Sequence, residues 1–285
     1  MNKNTRLLIV DGSHYLYRAY YGVPESAKLP SGLQVNAVYG FMAYLRKAVL
    51  VVKPSHLIVV FDSETGITSK VQENEFYKSN RNYQDTGMYK QLPLIKNILD
   101  RLAIFNTEAS SCEADDYIGT LASAWSKKGS KVYIFSNDAD FLQLLTGKIY
   151  IVKMGKKHPD IVTQDIFEKK FEFKNTFYID YLCLRGDPSD NIKGIPGVGC
   201  KTAQKLISSY KTISNIYSSI ESLPKRLQPL LITYRNVLEN NRKILQINTA
   251  EHIPNKSIGE YLLKDVDKLN HSTNTLLKDV GINIK

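Results

Sequence analysis

Three short apolar runs stand out in the first half of the chain: Arg6-Leu-Leu-Ile-Val10, His56-Leu-Ile-Val-Val-Phe61 and Lys131-Val-Tyr-Ile-Phe135. They are brief and rich in β-branched residues, so each predicts a buried strand. Apolar residues recur at helical spacing over Ser13 to Tyr21, Val35 to Val52, Met88 to Leu102 and Glu113 to Lys127. Strands alternating with helices predict an α/β fold with a mainly parallel sheet. After Thr163 the pattern becomes mostly helical, over Phe177 to Arg185, Thr202 to Tyr210, Lys225 to Glu239 and Asn240 to Ile247. The expected organisation is an α/β core over residues 1–162, a helical module over 163–250 and a loose, polar extension over 251–285. Residues 63–87 carry no clear period, and a structureless stretch of that length is expected to be mobile and functional.

A length of 285 residues with 43% hydrophobic content supports one core with a smaller appended module. Lysine and arginine outnumber aspartate and glutamate by 38 to 28, a net charge of +10. Such an excess favours a polyanion, nucleic acid first, although a merely solvated basic surface would look the same. No apolar run reaches the ~18 residues of a membrane span, and the start of the chain does not resemble a signal peptide, so the expectation is a cytoplasmic protein with no membrane partner. Cys112, Cys183 and Cys200 are odd in number and form no C-x-x-C pair. They read as reduced, packed thiols.

All three predicted strands run into aspartates: Asp11, Asp62, and the pair Asp138 and Asp140. In an open parallel sheet the carboxyl ends of the strands share one edge, where such folds place ligands. One aspartate after a strand is ordinarily a turn or cap residue, but three strands ending alike argue for a site. Glu113, Asp115 and Asp116 open a predicted helix, and Asp187 and Asp190 lie in a loop. Acids in a first helical turn also oppose the macrodipole, and on a helical wheel Asp115 points about 100° away from Asp116. Gathered carboxylates repel and raise one another's pKa unless cations neutralise them. His14, His56, His158, His252 and His271 form no zinc-type pair, so Mg²⁺ or Mn²⁺ on oxygen ligands is the expected solution. Two such ions about 3.5–4 Å apart suit phosphodiester hydrolysis.

Gly194-Ile-Pro-Gly197-Val-Gly199-Cys-Lys201-Thr202 precedes an amphipathic segment and offers N–H groups to a phosphate. Cys200 breaks Walker A spacing and the third glycine of a dinucleotide fingerprint is missing, which leaves a helix-hairpin-helix holding a DNA backbone. Lys70, Phe76, Tyr77, Lys78, Arg81 and Tyr83 mix cations with aromatic faces directly after Asp62. Such a segment can neutralise a phosphate and stack a splayed base.

With these residues in hand the chain resembles the 5′ nuclease family that includes the N-terminal domain of bacterial DNA polymerase I, phage 5′ nucleases and flap endonucleases. The motifs are LLIVDGSHYLYRAYYG from Leu7, NAVYGF from Asn36, VVFD ending at Asp62, FYKSNR ending at Arg81, CEADDYIGTLA from Cys112, SNDADFLQLL from Ser136 and LRGDPSDNIKGIPGVGCKTAQKL from Leu184. The resemblance implies a PIN-like nuclease core with a helical arch over residues 63–90. It implies that Asp11, Asp62, Glu113, Asp115, Asp116, Asp138, Asp140, Asp187 and Asp190 form the metal site, Asp115 included despite the wheel. Lys78 and Arg81 match the family's basic arch, and Lys70 stands where polymerase-type members carry an arginine with bidentate phosphate geometry. Tyr77, Lys78 and Arg81, with Gly194, Gly197, Gly199, Lys201 and Thr202 of the hairpin, are the implied DNA contacts, with a K⁺ ion on hairpin carbonyls. The implied activity is metal-dependent 5′-3′ exonuclease and flap endonuclease cleavage of flapped, branched, 5′-ended or RNA-primed DNA by a monomer, in replication and repair. The length leaves no room for a polymerase, and the chain reads as a stand-alone nuclease or a piece of a longer chain. The rivals are a structure-specific DNA-binding protein without catalysis and a nucleotide hydrolase using the glycine loop.

Overall fold

A computed structural model of the chain describes residues 5–63, 86–110, 112–254 and 256–279. Most of the stretch for which mobility is expected lies outside these residues, as do Lys70, Tyr77, Lys78 and Arg81. The three expected strands form as β1 (Arg6–Asp11), β2 (His56–Asp62) and, later in the chain, β4 (Lys131–Phe135). Between them lie α1 (Gly12–Gly22), α2 (Asn36–Val52), α3 (Thr86–Tyr89), α4 (Leu92–Arg101), β3 (Phe105–Ala109) and α5 (Ala114–Lys127). A hairpin of β5 (Ile149–Met154) and β6 (Pro159–Val162) completes a six-stranded sheet of order β3-β2-β1-β4-β5-β6. Every pairing is parallel except β5 with β6. The α/β expectation holds.

Alternation along the central strand sorts the core. Leu7 and Ile9 pack with Ile58, Val60, Val132 and Ile134 under α5, whereas Leu8 and Val10 join Val59 and Phe61 under α1 and α2. Because both faces of β1 are covered, it reads as a continuous apolar run, as parallel strands do.

The helical part comprises α6 (Gln164–Phe171), α7 (Tyr178–Arg185), a two-residue ribbon of β7 (Gly186–Asp187) and β8 (Ile192–Lys193), then α8 (Cys200–Tyr210), α9 (Ile213–Ser218), α10 (Gln228–Thr233) and α11 (Arg235–Leu245). Its apolar residues are continuous with the α5 face of the sheet. Asp180 on α7 is buried but accepts from Ile213 N–H at 3.0 Å and pairs with Arg242 at 2.6 Å, which ties α7 to α9 and α11. Among the described residues no helix is long and apolar enough to cross a membrane.

Four expectations need correction. The helix expected over Met88 to Leu102 is two helices, because Pro93 belongs in the first turn of α4 and Gln91 turns inward to cap α2, its Oε1 accepting from Ala37 N–H at 3.0 Å. The break expected between Glu239 and Asn240 falls instead at Tyr234, and one amphipathic helix runs through Arg235–Leu245. The C-terminal stretch is docked rather than loose: α12 (Val266–Asn270) and α13 (Thr273–Asp279) bury Leu269, Leu276 and Leu277 against the α2 side. Cys112 and Cys183 are packed as expected, but Cys200 is exposed at the start of α8.

Candidate active site

The strand order reverses between β1 and β4, and in open α/β sheets the crevice at the carboxyl ends beside such a reversal is where ligands bind. Asp11 is the last residue of β1, level with Val60, and Asp62 is the last of β2. Asp138 and Asp140 follow β4, and the two lie on either side of the start of a short 3₁₀ turn, Asp140–Leu144. The four strand-end acids therefore share one edge.

Protein donors hold the carboxylates of Asp11, Asp62 and Asp138 in place, and Asp140 is tied in through its backbone N–H. Asp11 Oδ1 accepts from His14 N–H at 3.0 Å, capping α1, and Asp11 Oδ2 accepts from Ser136 Oγ at 2.7 Å. That same hydroxyl oxygen accepts from Asp138 N–H at 3.1 Å, and Asp138 Oδ1 accepts from Asp140 N–H at 2.9 Å. Ser136 thus couples the acid ending β1 to the acids following β4. Asp62 Oδ1 accepts from Ala114 N–H at 3.1 Å, at the start of α5, and Asp62 N–H donates to Ser13 Oγ at 2.7 Å. Burial pushes the Asp11 carboxyl above its ordinary value; His14 and the donors pull it back, and the nearby Asp62 pushes it further up.

Glu113 is the N-cap residue of α5 and makes no side-chain cap hydrogen bond. It and Asp116 are buried, whereas Asp115 is only half-buried, as their positions on the wheel require. Asp116 Oδ1 accepts from Asn248 N–H at 2.8 Å, which anchors the chain after α11 to α5. Asp187 and Asp190 are buried around the β7–β8 ribbon. Asp187 Oδ1 accepts from Ser189 N–H at 2.9 Å and from Ser189 Oγ at 2.5 Å, with Arg185 at 3.9 Å. Burial first, then the charge of Asp140 and more weakly that of Asp187, push the Tyr178 phenol up, while Arg185 pulls it back.

Sequence reasoning missed several neighbours. Lys153 on β5 is pulled below its ordinary value by burial and drawn back by Asp138 and Asp140. Ser136 and Asn137 sat inside a recognised motif without a role, and Arg185 lies beside Asp187 and over the Tyr181 ring at 5.4 Å. A lone lysine in a strand gives no signal of the acids it will face.

The donors are all carboxylate oxygens, and a carboxyl raised by burial and by a second acid gains when a cation arrives, which fits hard divalent ions. Among the described residues no three Asp, Glu, His or Cys side chains stand close enough to share one ion as they lie.

The hairpin lies between α7 and α8. Gly194 is required by close approach, since a Cβ there would meet Arg185 C at 2.3 Å and Gly186 N at 2.4 Å. Gly197 is required by its positive φ of 75°. Gly199 faces open space and caps α8, with Lys201 exposed and Thr202 half-buried in the first turn.

Two family models match. "5′-3′ exonuclease, N-terminal resolvase-like domain" covers residues 6–172 and "5′-3′ exonuclease, C-terminal SAM fold" covers residues 173–274. The chain is 37% identical to a 5′-3′ exonuclease of Buchnera aphidicola over 79% of its own length and 78% of that protein. It is 33% identical to the 5′-3′ exonuclease of Bacillus subtilis over 87% and 84%. It is also 34% identical to DNA polymerase I of Bacillus subtilis over 87% of its own length, but spans only 28% of that longer relative. The fold is like that of the bacteriophage T5 flap endonuclease in complex with DNA and metal ions, with TM-score 0.69, 18% identity, and 86% and 90% of the two chains covered. The Rad2 catalytic core in complex with DNA is also similar, with TM-score 0.61, 17% identity, and 98% and 88% covered. With both models matched in order along nearly the whole length, the chain belongs to the 5′-3′ exonuclease family.

Proposed function

We propose that the chain hydrolyses DNA phosphodiesters near a 5′ end or at a 5′ flap, as a cytoplasmic monomer, using Mg²⁺ or Mn²⁺. The observation that carries this reading is the placement of Asp11, Asp62, Asp138 and Asp140 along one edge, at the strand-order reversal of a 5′-3′ exonuclease-family sheet, with Ser136 linking Asp11 to Asp138. These four, with Glu113, Asp115, Asp187 and Asp190, would hold the ions, while Asp116 divides its carboxylate between the site and Asn248 N–H. Divalent ions bound there would make a water more acidic and offset charge on the leaving oxygen. Lys70, Lys78 and Arg81 are proposed to act on the scissile phosphate, with Tyr77 stacking a base. The core over residues 1–162 cuts, and the module over 163–250 grips the duplex through Gly194, Gly197, Gly199, Lys201 and Thr202. The loop carbonyls there suit a K⁺ ion, and exposed N–H groups at the start of α8 suit phosphate.

The test is cleavage of a 5′-labelled flap substrate with Mg²⁺, with EDTA, and by the Asp138→Ala, Asp140→Ala double variant. Flap release that needs metal and disappears in the variant is expected. Tight binding without cleavage would instead indicate a DNA-binding protein, and cleavage that survives both treatments would remove the carboxylate chemistry.

A further inference from the structure

The parallel ladder between β4 and β5 pairs Val132 with Ile149 and ends with Phe135 opposite Val152. Two more residues in that register would set Asn137 against Met154. The backbone has by then left the sheet to carry Asp138 and Asp140 towards the edge, yet the pairing persists through a side chain. Asn137 Oδ1 accepts from Met154 N–H at 2.7 Å, and Asn137 Nδ2 donates to Met154 O at 3.0 Å. The side-chain amide therefore does the work of a peptide group. Its orientation is forced, because Met154 offers one donor and one acceptor that fit the amide one way round.

A second tie crosses to another element. Tyr15 on α1 donates its hydroxyl to Asn137 Oδ1 at 2.9 Å, and its ring stacks on Phe135 at 3.9 Å with 14° between the planes. Lys153 Nζ lies 3.4 Å from Asn137 O. The loop is thus held to β5 on one side and to α1, the helix that Asp11 caps, on the other.

We infer that Asn137 is a positioning residue for the metal-binding acids: its amide lets the backbone leave the ladder while fixing where Asp138 and Asp140 point. Tyr15 is its partner in that task. The inference rests on the carboxylate-metal reading above. A half-buried amide with both ends satisfied stiffens a loop much as a ladder bond does, and groups that orient metal ligands typically change metal affinity or activity by about 10–100-fold when removed.

The experiment measures Mn²⁺ binding to DNA-free protein by calorimetry, together with kcat and KM for flap cleavage across a Mn²⁺ titration, for wild type, Asn137→Ala, Tyr15→Phe and the double variant. Asn137→Ala is expected to weaken Mn²⁺ binding by about 10-fold or more. Its kcat should fall at low Mn²⁺ and recover at high Mn²⁺, with KM for DNA unchanged. Tyr15→Phe, which deletes one hydroxyl and keeps the stacked ring, should shift metal binding in the same direction by less and add little to Asn137→Ala. A lower melting temperature with wild-type Mn²⁺ affinity in both single variants would overturn the positioning role and leave Asn137 as ordinary packing. Wild-type protein that neither binds Mn²⁺ nor cleaves would overturn the functional reading itself.

Discussion

Asp11 is under two opposed demands. It caps α1 through His14 N–H, and it is buried within the sheet edge, where burial above all, with a smaller push from the charge of nearby Asp62, raises its pKa. A carboxyl raised in the folded state binds its proton more tightly there than in the unfolded chain. Stability therefore falls as pH climbs from the ordinary value of 3.8 through the folded pKa, and the loss persists above it. Asp11→Asn should remove that loss: metal-free melts from about pH 4 to 8 should show the variant gaining on wild type as pH rises. The same variant should cleave at least about 10-fold more slowly. A stability difference that ignored pH would mean that the carboxyl carries no such burden. This pairing of Asp11 with Asp62 was legible in the sequence because both end apolar runs. The Ser136 hydroxyl that joins Asp11 to Asp138 was not, since a serine before an aspartate is an ordinary turn residue until the register of β1 and β4 brings them together.

The same limit governs whole elements. β1, β2 and β4 announce themselves because both faces are buried, whereas Phe-Asn-Thr-Glu-Ala of β3 has no apolar run and is a strand because β2 offers it a ladder at the sheet edge. β6 begins with Pro159, tolerable only at an edge. The hairpin was recognised as an element, but one permissive role was assigned to all its glycines, and the three do different work. Gly194→Ala would press a Cβ onto backbone atoms of Arg185 and Gly186, a clash that no rotamer relieves, and should cost about 1–3 kcal/mol or more in urea melts. Gly197→Ala meets nothing but must hold φ near 75°, so about 1–2 kcal/mol is expected. Gly199→Ala should be close to neutral for the fold, because the backbone there is extended and the space open. If all three cost the same, the hairpin backbone relaxes and these contacts do not set its shape.

Across the molecule, the proposed chemistry and the C-terminal reinforcement sit at opposite ends of the sheet. The acids lie at the carboxyl ends, while the C-terminal segment docks at the amino end of β2, where Leu263 N–H donates to Ser55 O at 3.0 Å and Leu262 bridges His56. β2 is seven residues long, so roughly 20 Å separates the two. Tyr261 is the wedge of that docking, buried edge-on against Phe105 at 5.1 Å and Trp125 at 5.6 Å. The sequence hid this because residues 251–285 are sparsely apolar; a few well-spaced residues, Tyr261, Leu263, Leu269, Leu276 and Leu277, suffice when each finds a preformed apolar surface. Tyr261→Ala should therefore lower stability by about 3 kcal/mol in denaturant melts. At a temperature where the variant is still folded, Mg²⁺ dependence and the cleavage rate should match wild type, since nothing in this contact reaches the carboxyl edge. A shifted metal dependence in Tyr261→Ala would show that the two ends are coupled through β2, and that the C-terminal segment takes part in holding Asp62 in place.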